Sequence, residues 1–461
     1  MPSPRRNSAP KRRPRNHNAP KPTARGVVLD AICAQAERYP AFEPIELDTK
    51  ALDDRDAALA HALYDASIRR WLTLEFLVQQ GLKRPFSELE PALRAVLIVG
   101  AAQLVLMDRI PAHAALNEAV EWAKRRIRPG AAGIVNAVLR RVADSAGQRM
   151  GPWDGSRESI PLPDGSRRLK YVSLPEHPAG TLSVAASMPR RLLDRLLDQH
   201  TEEEVRALCA QTLTNPPTIL NITHAQEPIP SGWTKPHERD GHALWIGPRD
   251  ELAPLLASRG DVWAQDPSSS EAVESIRNLK PTRIIDLCAG QGTKTRQLAQ
   301  VFPEATIIAT DVDTDRYRTL SKVFEGHERV RVRSMAEIKQ AERGRADLVL
   351  LDVPCSNTGV MGRRVEARYR ADAAAIGRLS RIQREIIEQA VDLLTPDGVI
   401  LYATCSVDRE ENHEQAKWAS ERFGLLVGCE RATLPRTGGT PESTVDGSYS
   451  VLLGPRRGRG G

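Results

Sequence analysis

Two cysteines stand just beyond apolar runs of the length and composition of buried strands. Leu348-Val349-Leu350-Leu351 leads into Asp352-Val353-Pro354-Cys355-Ser356-Asn357-Thr358-Gly359, and Val399-Ile400-Leu401-Tyr402-Ala403 leads into Thr404-Cys405-Ser406. A cysteine inside a protein is ordinarily a small hydrophobe, so either one alone reads as packing. Two at matching strand ends, one beside the carboxylate of Asp352, read as chemistry, because a thiolate is a good nucleophile that forms covalent intermediates. A free thiol has a pKa of about 8.5 and needs a cation or hydrogen-bond donors to ionise. Lys294 is the candidate cation, its other reading being a solvated lysine in the first turn of a helix.

Such a set suits addition to a pyrimidine ring. Carbon 5 of cytosine is a poor nucleophile. A thiolate bonded to carbon 6 makes the ring enamine-like, so that carbon 5 can attack an electrophilic methyl group, and an acid near nitrogen 3 stabilises the charge that develops.

The elements that must position these groups are legible from about residue 276 onward. Strands expected over 283–287, 306–310, 348–351 and 399–403 alternate with helices expected over 294–301, 315–324, 374–394 and 410–423. This alternation predicts a doubly wound, mostly parallel α/β sheet with its ligands at the carboxyl ends of the strands. The first strand enters Asp286-Leu287-Cys288-Ala289-Gly290-Gln291-Gly292-Thr293-Lys294, a glycine-bearing turn that opens a helix and offers free N–H groups to a ligand. The next strand ends in Asp311, nineteen residues beyond Gly292, where a carboxylate can accept bonds from ribose hydroxyls; its other reading is a cap for the following helix. A nicotinamide enzyme would use a similar arrangement. The three-glycine phosphate fingerprint is missing, however, and two thiols have no part in hydride transfer.

Upstream, residues 26–144 read as an all-helical domain, with Leu59, Ala62, Leu63 and Ala66 at helical spacing and a long apolar stretch over 92–107. Residues 145–182, rich in Gly, Pro and Ser and without periodicity, are expected to form a linker or surface loop. Residues 183–275 read as a small α+β segment, with helices over 189–199 and 201–213 and short strands over 218–223 and 242–246; residues 276–455 form the α/β domain. Residues 1–25 hold eight Lys or Arg, six Pro and no acid, a composition that predicts disorder, and 456–461 form a second basic tail. The net charge of +6 resides in these ends: without their eleven basic residues the chain between them stands at about −5, so a nucleic-acid face there must be a local patch. Cys33, Cys209, Cys288, Cys355, Cys405 and Cys429 show no C-x-x-C spacing, which argues against a metal site or disulfide framework and for a reducing, cytoplasmic setting. No apolar run approaches the roughly 20 residues of a membrane helix, so no membrane partner is expected.

In order and spacing, DLCAGQGTKT (286–295), ATDVDTDR (309–316), LDVPCSNTGV (351–360) and YATCSVDREEN (402–412) resemble the RNA cytosine-5 methyltransferase family, and in detail the bacterial small-subunit ribosomal RNA methyltransferase B type. PAHAALNEAV (111–120) and VNAVLRR (135–141) are similar to the NusB-like RNA-binding helical domain of that type, and QDPSS (265–269) to the segment before its catalytic domain. The resemblance implies a Rossmann-like class I methyltransferase that forms 5-methylcytosine in RNA, with 16S ribosomal RNA as partner, acting as a monomer. It implies that S-adenosylmethionine is held by Cys288, Ala289, Gly290, Gln291, Gly292, Thr293 and Lys294, with Asp311, Arg316 and Asp352. It further implies that Cys405 bonds to carbon 6, that Cys355 assists loss of the carbon 5 proton or release of product, and that Asp352 and Lys294 meet the base. The chain departs from the family where Gly290-Gln291-Gly292-Thr293-Lys294 replaces the usual Ala-Pro-Gly-Gly-Lys. The acid expected after the third strand is also missing from Val332-Arg333-Ser334-Met335, which leaves Glu337 as a displaced substitute, and Asp446-Gly447-Ser448-Tyr449 stands where Asp-Gly is usually followed by aromatics.

Phosphate contacts are expected from the N-terminal tail and from Arg363, Arg364, Arg368 and Arg370, and the target base must leave its stack to reach a thiol. Two alternatives stand beside this reading. A DNA cytosine methyltransferase would use Cys355 as nucleophile and leave Cys405 without a role. A non-catalytic RNA-binding ribosome assembly factor would keep the fold without turnover.

Overall fold

A segment that is apolar around its whole circumference must be covered on all sides, and residues 92–107 accordingly become the central helix of the N-terminal domain. In the computed structural model, which describes residues 22–436 and 440–455, helices α1 (Ala24–Arg38), α2 (Asp54–Arg69), α3 (Trp71–Gln79), α4 (Pro91–Leu106), α5 (Ala112–Arg126) and α6 (Ala131–Ser145) form this domain, with α4 buried along most of its length. The side chains of Thr23 and Asp53 start α1 and α2 by accepting the N–H groups of Gly26 and Asp56. No helix of the described residues is long and apolar enough to cross a membrane. The basic tails expected over 1–25 and 456–461 lie almost wholly outside the described residues.

The expectation of a linker or loop over 145–182 is corrected. Strands β1 (Ala146–Met150), β2 (Ser159–Leu162) and β3 (Gly165–Leu169) form an antiparallel sheet in the order β1-β3-β2, followed by α7 (Pro178–Ala185). The alternation that marks a strand is hidden because polar residues turn inward. Ser159, Ser166 and Arg167 are buried, and Arg167 is neutralised by Asp108 while donating to the carbonyl of Gly147. The sheet is tied to the helical domain by the buried guanidinium of Arg70, which donates to the carbonyl of Pro161 at 2.7 Å.

Helices α8 (Arg190–Gln199) and α9 (Glu202–Thr212) come next, then strands β4 (Ile219–Asn221), β5 (Thr234–Pro236) and β6 (His242–Trp245), α10 (Arg249–Ser258), β7 (Trp263–Ala264) and α11 (Pro267–Glu274). These four strands pair in the order β5-β6-β4-β7.

The α/β domain runs β8 (Arg283–Asp286), α12 (Thr293–Val301), β9 (Thr306–Ala309), α13 (Thr314–Val323), β10 (Val330–Val332), α14 (Met335–Ala341), β11 (Ala346–Asp352), α15 (Ala367–Arg370), α16 (Ala373–Val391), β12 (Leu394–Thr404), α17 (His413–Phe423), β13 (Leu426–Thr433) and β14 (Ser448–Gly454). Its sheet order is β10-β9-β8-β11-β12-β14-β13, with the first five strands parallel, β14 antiparallel to β12 and β13 antiparallel to β14. The expected Rossmann-like fold is therefore present. Helices cover both faces of the central strands, which is why Ile284, Ile285 and Leu348 to Leu351 are uninterruptedly apolar and buried. Strand order reverses between β8 and β11, and the crevice outside the carboxyl ends of such a pair is where this fold binds ligands. The helix expected from residue 410 begins only at His413. Asn412 leaves helical geometry and spends its side chain on Thr404 and on the carbonyl of Ser406.

Candidate active site

At the end of β8 the chain turns sharply through Leu287 to Gly292 into α12. Gly290 has φ +56° and Gly292 φ +92°, a region where side chains are strained. At Gly292 a side chain would also strike Phe324, while the space beyond Gly290 is open. The carboxylate of Asp311 accepts the N–H of Gly290 at 2.9 Å and that of Asp313 at 2.8 Å. The cap of the next helix is Asp313, so Asp311 stays at the glycine turn rather than serving as that cap. Beside it Val312 projects an apolar side chain that is 84% exposed, and the guanidinium of Arg316 lies on the surface nearby. An open glycine turn, an acid and an exposed apolar side chain at the switch point fit an adenosyl ligand. Asp286 is fully buried, accepts the hydroxyl of Thr295 at 2.7 Å, and is pushed up to about 7 by burial, with the negative charge of Asp352 adding to the effect.

The chemical groups converge from three strand ends. Parallel pairing sets Leu351 beside Tyr402 and Asp352 beside Ala403, so the loops that follow β11 and β12 start side by side. The sulfur atoms of Cys355 and Cys405 lie 3.3 Å apart. Asn357, at φ +61°, links the two loops; its amide N–H donates to the carbonyl of Cys355 and its Oδ1 accepts from the Cys405 thiol at 3.2 Å. Lys294, in the first turn of α12, reaches across to donate to Asp352 at 2.8 Å and to the hydroxyl of Ser269 at 3.0 Å. Burial pulls the pKa of Lys294 down, but Asp352, with help from Cys405 and Asp286, raises it further, so the amine is charged at neutral pH. The Cys355 thiol is pushed well up by its hydrogen bond with Cys405 and by burial. Lys294, Asp352, Cys405, Asp446 and Tyr449 line a cleft of about 550 Å³, a volume suited to a small ring system. Cys355 is buried beside it.

Sequence reasoning missed the polar bolt that joins the two cysteine loops. The buried carboxylate of Glu411 accepts the N–H of Ser356 at 2.9 Å, its hydroxyl, and the amide of Gln383 at 3.1 Å. Ser406 and Thr358 hydroxyls lie 3.0 Å apart, and Thr358 donates to Asp408 at 3.0 Å. Asp408 is fully buried and paired with Arg195 of α8 at 2.6 Å. Gly359 completes the join: its N–H donates to the carbonyl of Cys405, and a side chain there would strike that oxygen. Replacing Glu411 with alanine leaves buried donors without an acceptor, each costing about 1–3 kcal/mol. The variant is expected to lose on the order of 3 kcal/mol of stability in denaturant titration and to expose Cys355 to faster alkylation; unchanged stability and alkylation would show that the loops are held by something else.

Several expected contacts need correction. Arg368 cannot meet phosphate, because it is buried and donates to the carbonyls of Ser187 and Arg69. Arg363 is clamped by Asp446 at 2.5 Å and by Asp266 at 3.4 Å, which offsets its charge; Arg364 and Arg370 remain on the surface. Glu337 does not substitute for the missing acid, since its carboxylate is spent on the N–H and hydroxyl of Ser334 in a capping box.

The chain is similar to known proteins over most of its length. The model of the 16S rRNA methyltransferase RsmB/F family matches residues 275–422, and that of the NusB family matches residues 22–144. The chain is 30% identical over 419 residues to the ribosomal RNA small subunit methyltransferase B of Cronobacter sakazakii, covering 87% of this chain and 86% of the relative. It is 30% identical over 410 residues to the same protein of Erwinia tasmaniensis, covering 84% and 87%. Among solved structures, that of PH0851 shares the fold, with a TM-score of 0.67 at 20% identity over 94% of this chain and 98% of the other.

Proposed function

Because the chain belongs to the ribosomal RNA small subunit methyltransferase B family, we propose that it methylates carbon 5 of a cytosine in 16S ribosomal RNA with S-adenosylmethionine as donor, and that Cys405 is the nucleophile. The observation that carries the residue assignment is the meeting of two sulfur atoms 3.3 Å apart at the cleft that also holds the Lys294–Asp352 pair.

The cofactor, when bound, supplies an electrophilic methyl group. Residues Cys288 to Lys294 would hold it through the glycine turn, with Asp311 toward its ribose, Val312 against its base, and Arg316 and Asp352 at the edges. A flipped cytosine enters the cleft, and the Cys405 thiolate adds to carbon 6, breaking the ring double bond and moving its electron pair to carbon 5 and nitrogen 3. Nitrogen 3 takes up a proton from solvent as that charge collects, so the Asp352 carboxylate stands to accept the ring N–H, and the Lys294 ammonium keeps the carboxylate in place and offsets charge in the cleft. Carbon 5 bonds to the methyl carbon as the donor's sulfur–methyl bond breaks and S-adenosylhomocysteine leaves, and Cys355 then assists removal of the carbon 5 proton or release of the product. The sulfur–carbon 6 bond breaks, the ring double bond re-forms, nitrogen 3 gives back any proton it took up and the carbon 5 proton passes to solvent. Cys405, not Cys355, lines the cleft, which favours it as nucleophile over the DNA-type reading. The full set of thiols, acid and amine favours turnover over a purely scaffolding role.

The test is incubation of the protein with an unmodified 16S rRNA transcript and S-adenosylmethionine, followed by nucleoside mass spectrometry. 5-Methylcytidine is the expected product. Methylation at another atom, or binding of cofactor and RNA without transfer, would refute the reading.

A further inference from the structure

Among the described residues three non-glycine positions adopt a left-handed backbone: Tyr171, Ser187 and Asn357. Two have structural employment. Ser187 is buried, with its hydroxyl accepting the N–H of Leu72 and its carbonyl holding Arg368, and Asn357 bridges the two cysteines. Tyr171 does nothing comparable. It follows β3 on a turn pinned by the Lys170 N–H to the carbonyl of Ser145 and by the Leu174 N–H to the carbonyl of Arg157, and its ring is 92% exposed. The next most exposed large apolar side chain among the described residues, Val312, stands at the glycine turn. Strain retained at an exposed aromatic is at odds with folding economy, because glycine or asparagine would take this conformation more easily.

The ring borders a concavity of about 690 Å³ between α3, α6 and β3, whose wall includes Gln80, Arg141, Asp144 and Lys170. Arg141 and Lys170 are exposed and form no ion pair among the described residues, while Asp144 is the one acid on that wall. A flat ring with unpaired cations beside it is the arrangement that stacks an unpaired base and holds its phosphate.

We infer that Tyr171, with Lys170 and Arg141, forms a single-stranded RNA subsite in which one nucleotide of the substrate RNA stacks on the tyrosine ring. Tyr171 and Lys170 lie outside residues 22–144 and 275–422, the segments matched by the two family models, and Arg141 stands near the end of the first; the site rests on the reading of RNA as the substrate. It serves to anchor the RNA away from the cleft, so it acts on affinity and not on the chemical step.

Full-length protein and an unmodified 16S rRNA transcript provide the assay. Tyr171→Ala is expected to weaken RNA binding and raise KM for RNA about tenfold, with kcat at saturating RNA unchanged; Tyr171→Trp should restore both. Tyr171→Gly separates binding from folding. Glycine takes this backbone without strain, so thermal stability should match or exceed that of the parent while RNA affinity falls as in the alanine variant. Removing Lys170 and Arg141 should lessen the slope of log affinity against log salt by about 0.7 per cation. RNA affinity within about twofold of the parent in the alanine and glycine variants overturns the site, whatever else touches the ring. A glycine variant that loses stability marks the tyrosine as structural and overturns it too. A parent that binds RNA without transferring a methyl group refutes the proposed function instead, and leaves the binding comparison intact.

Discussion

Replacement of Cys405 by alanine is expected to reduce methyl transfer by at least about 10³-fold, since removing the group that forms a covalent intermediate costs a loss of this order or more. Replacement of Cys355 should produce a different failure. With the proton removal or release step impaired, carbon 6 stays bonded to Cys405, and a protein–RNA complex that survives denaturation should accumulate. The two variants should bind S-adenosylmethionine like the parent, because neither thiol belongs to the glycine turn, and this binding controls for folding. A Cys405 variant that still turns over, or that traps RNA while the Cys355 variant does not, would exchange the roles assigned here. The pair is close enough for either sulfur to feel the other, so the double variant should resemble the Cys405 single variant and not the sum.

Loss of the Lys294–Asp352 pair ranks second. Lys294→Ala removes the cation from the cleft, and Asp352→Asn removes the acceptor that orients it; each should lower kcat about 10²-fold or more, the range for losing a preorganised charge at the reacting centre. Combined, they should cost less than the product of the two, because each partner loses much of its use once the other is gone. The pH dependence follows from the raised pKa of Lys294. A base whose folded pKa exceeds its unfolded value, about 10.4, contributes stability that is complete below that value and is lost as pH rises through the folded pKa. The deficit of Lys294→Ala should therefore stay constant between about pH 6 and pH 9, measured as the ratio of kcat to that of the parent. A deficit that disappears toward the upper end of that range would mean that the lysine acts as a neutral amine.

Much of the site was legible because its residues sit at strand ends. Apolar runs fix where a parallel strand stops, and in a doubly wound sheet every stop faces the same edge, so Asp286, Asp311, Asp352 and Cys405 could be gathered there before any distance was known. What escaped depends on partners distant in the chain. Glu411 belongs to the run Arg409-Glu410-Glu411, which reads as a solvated helix start; only the contact with Ser356, 55 positions earlier, makes it a buried acceptor. Arg368 looks like its exposed neighbours Arg364 and Arg370 until α15 packs on α9 and the helical domain. The small sheet of β1 to β3 was obscured by the inward-facing Arg167, whose charge is tolerable only with Asp108 beside it. In each case local composition misled because a long-range pairing reversed the burial of a charged side chain.

The most direct test of the covalent account uses RNA carrying 5-fluorocytidine at the target position. Fluorine cannot depart as the proton does, so the adduct should persist after methyl transfer in the unaltered protein, and digestion followed by mass spectrometry reveals which peptide bears the nucleotide. The account predicts a methylated fluorocytidine on the peptide containing Cys405. The same mass on the peptide containing Cys355, or methyl transfer to unmodified RNA with no adduct on either thiol, would contradict it.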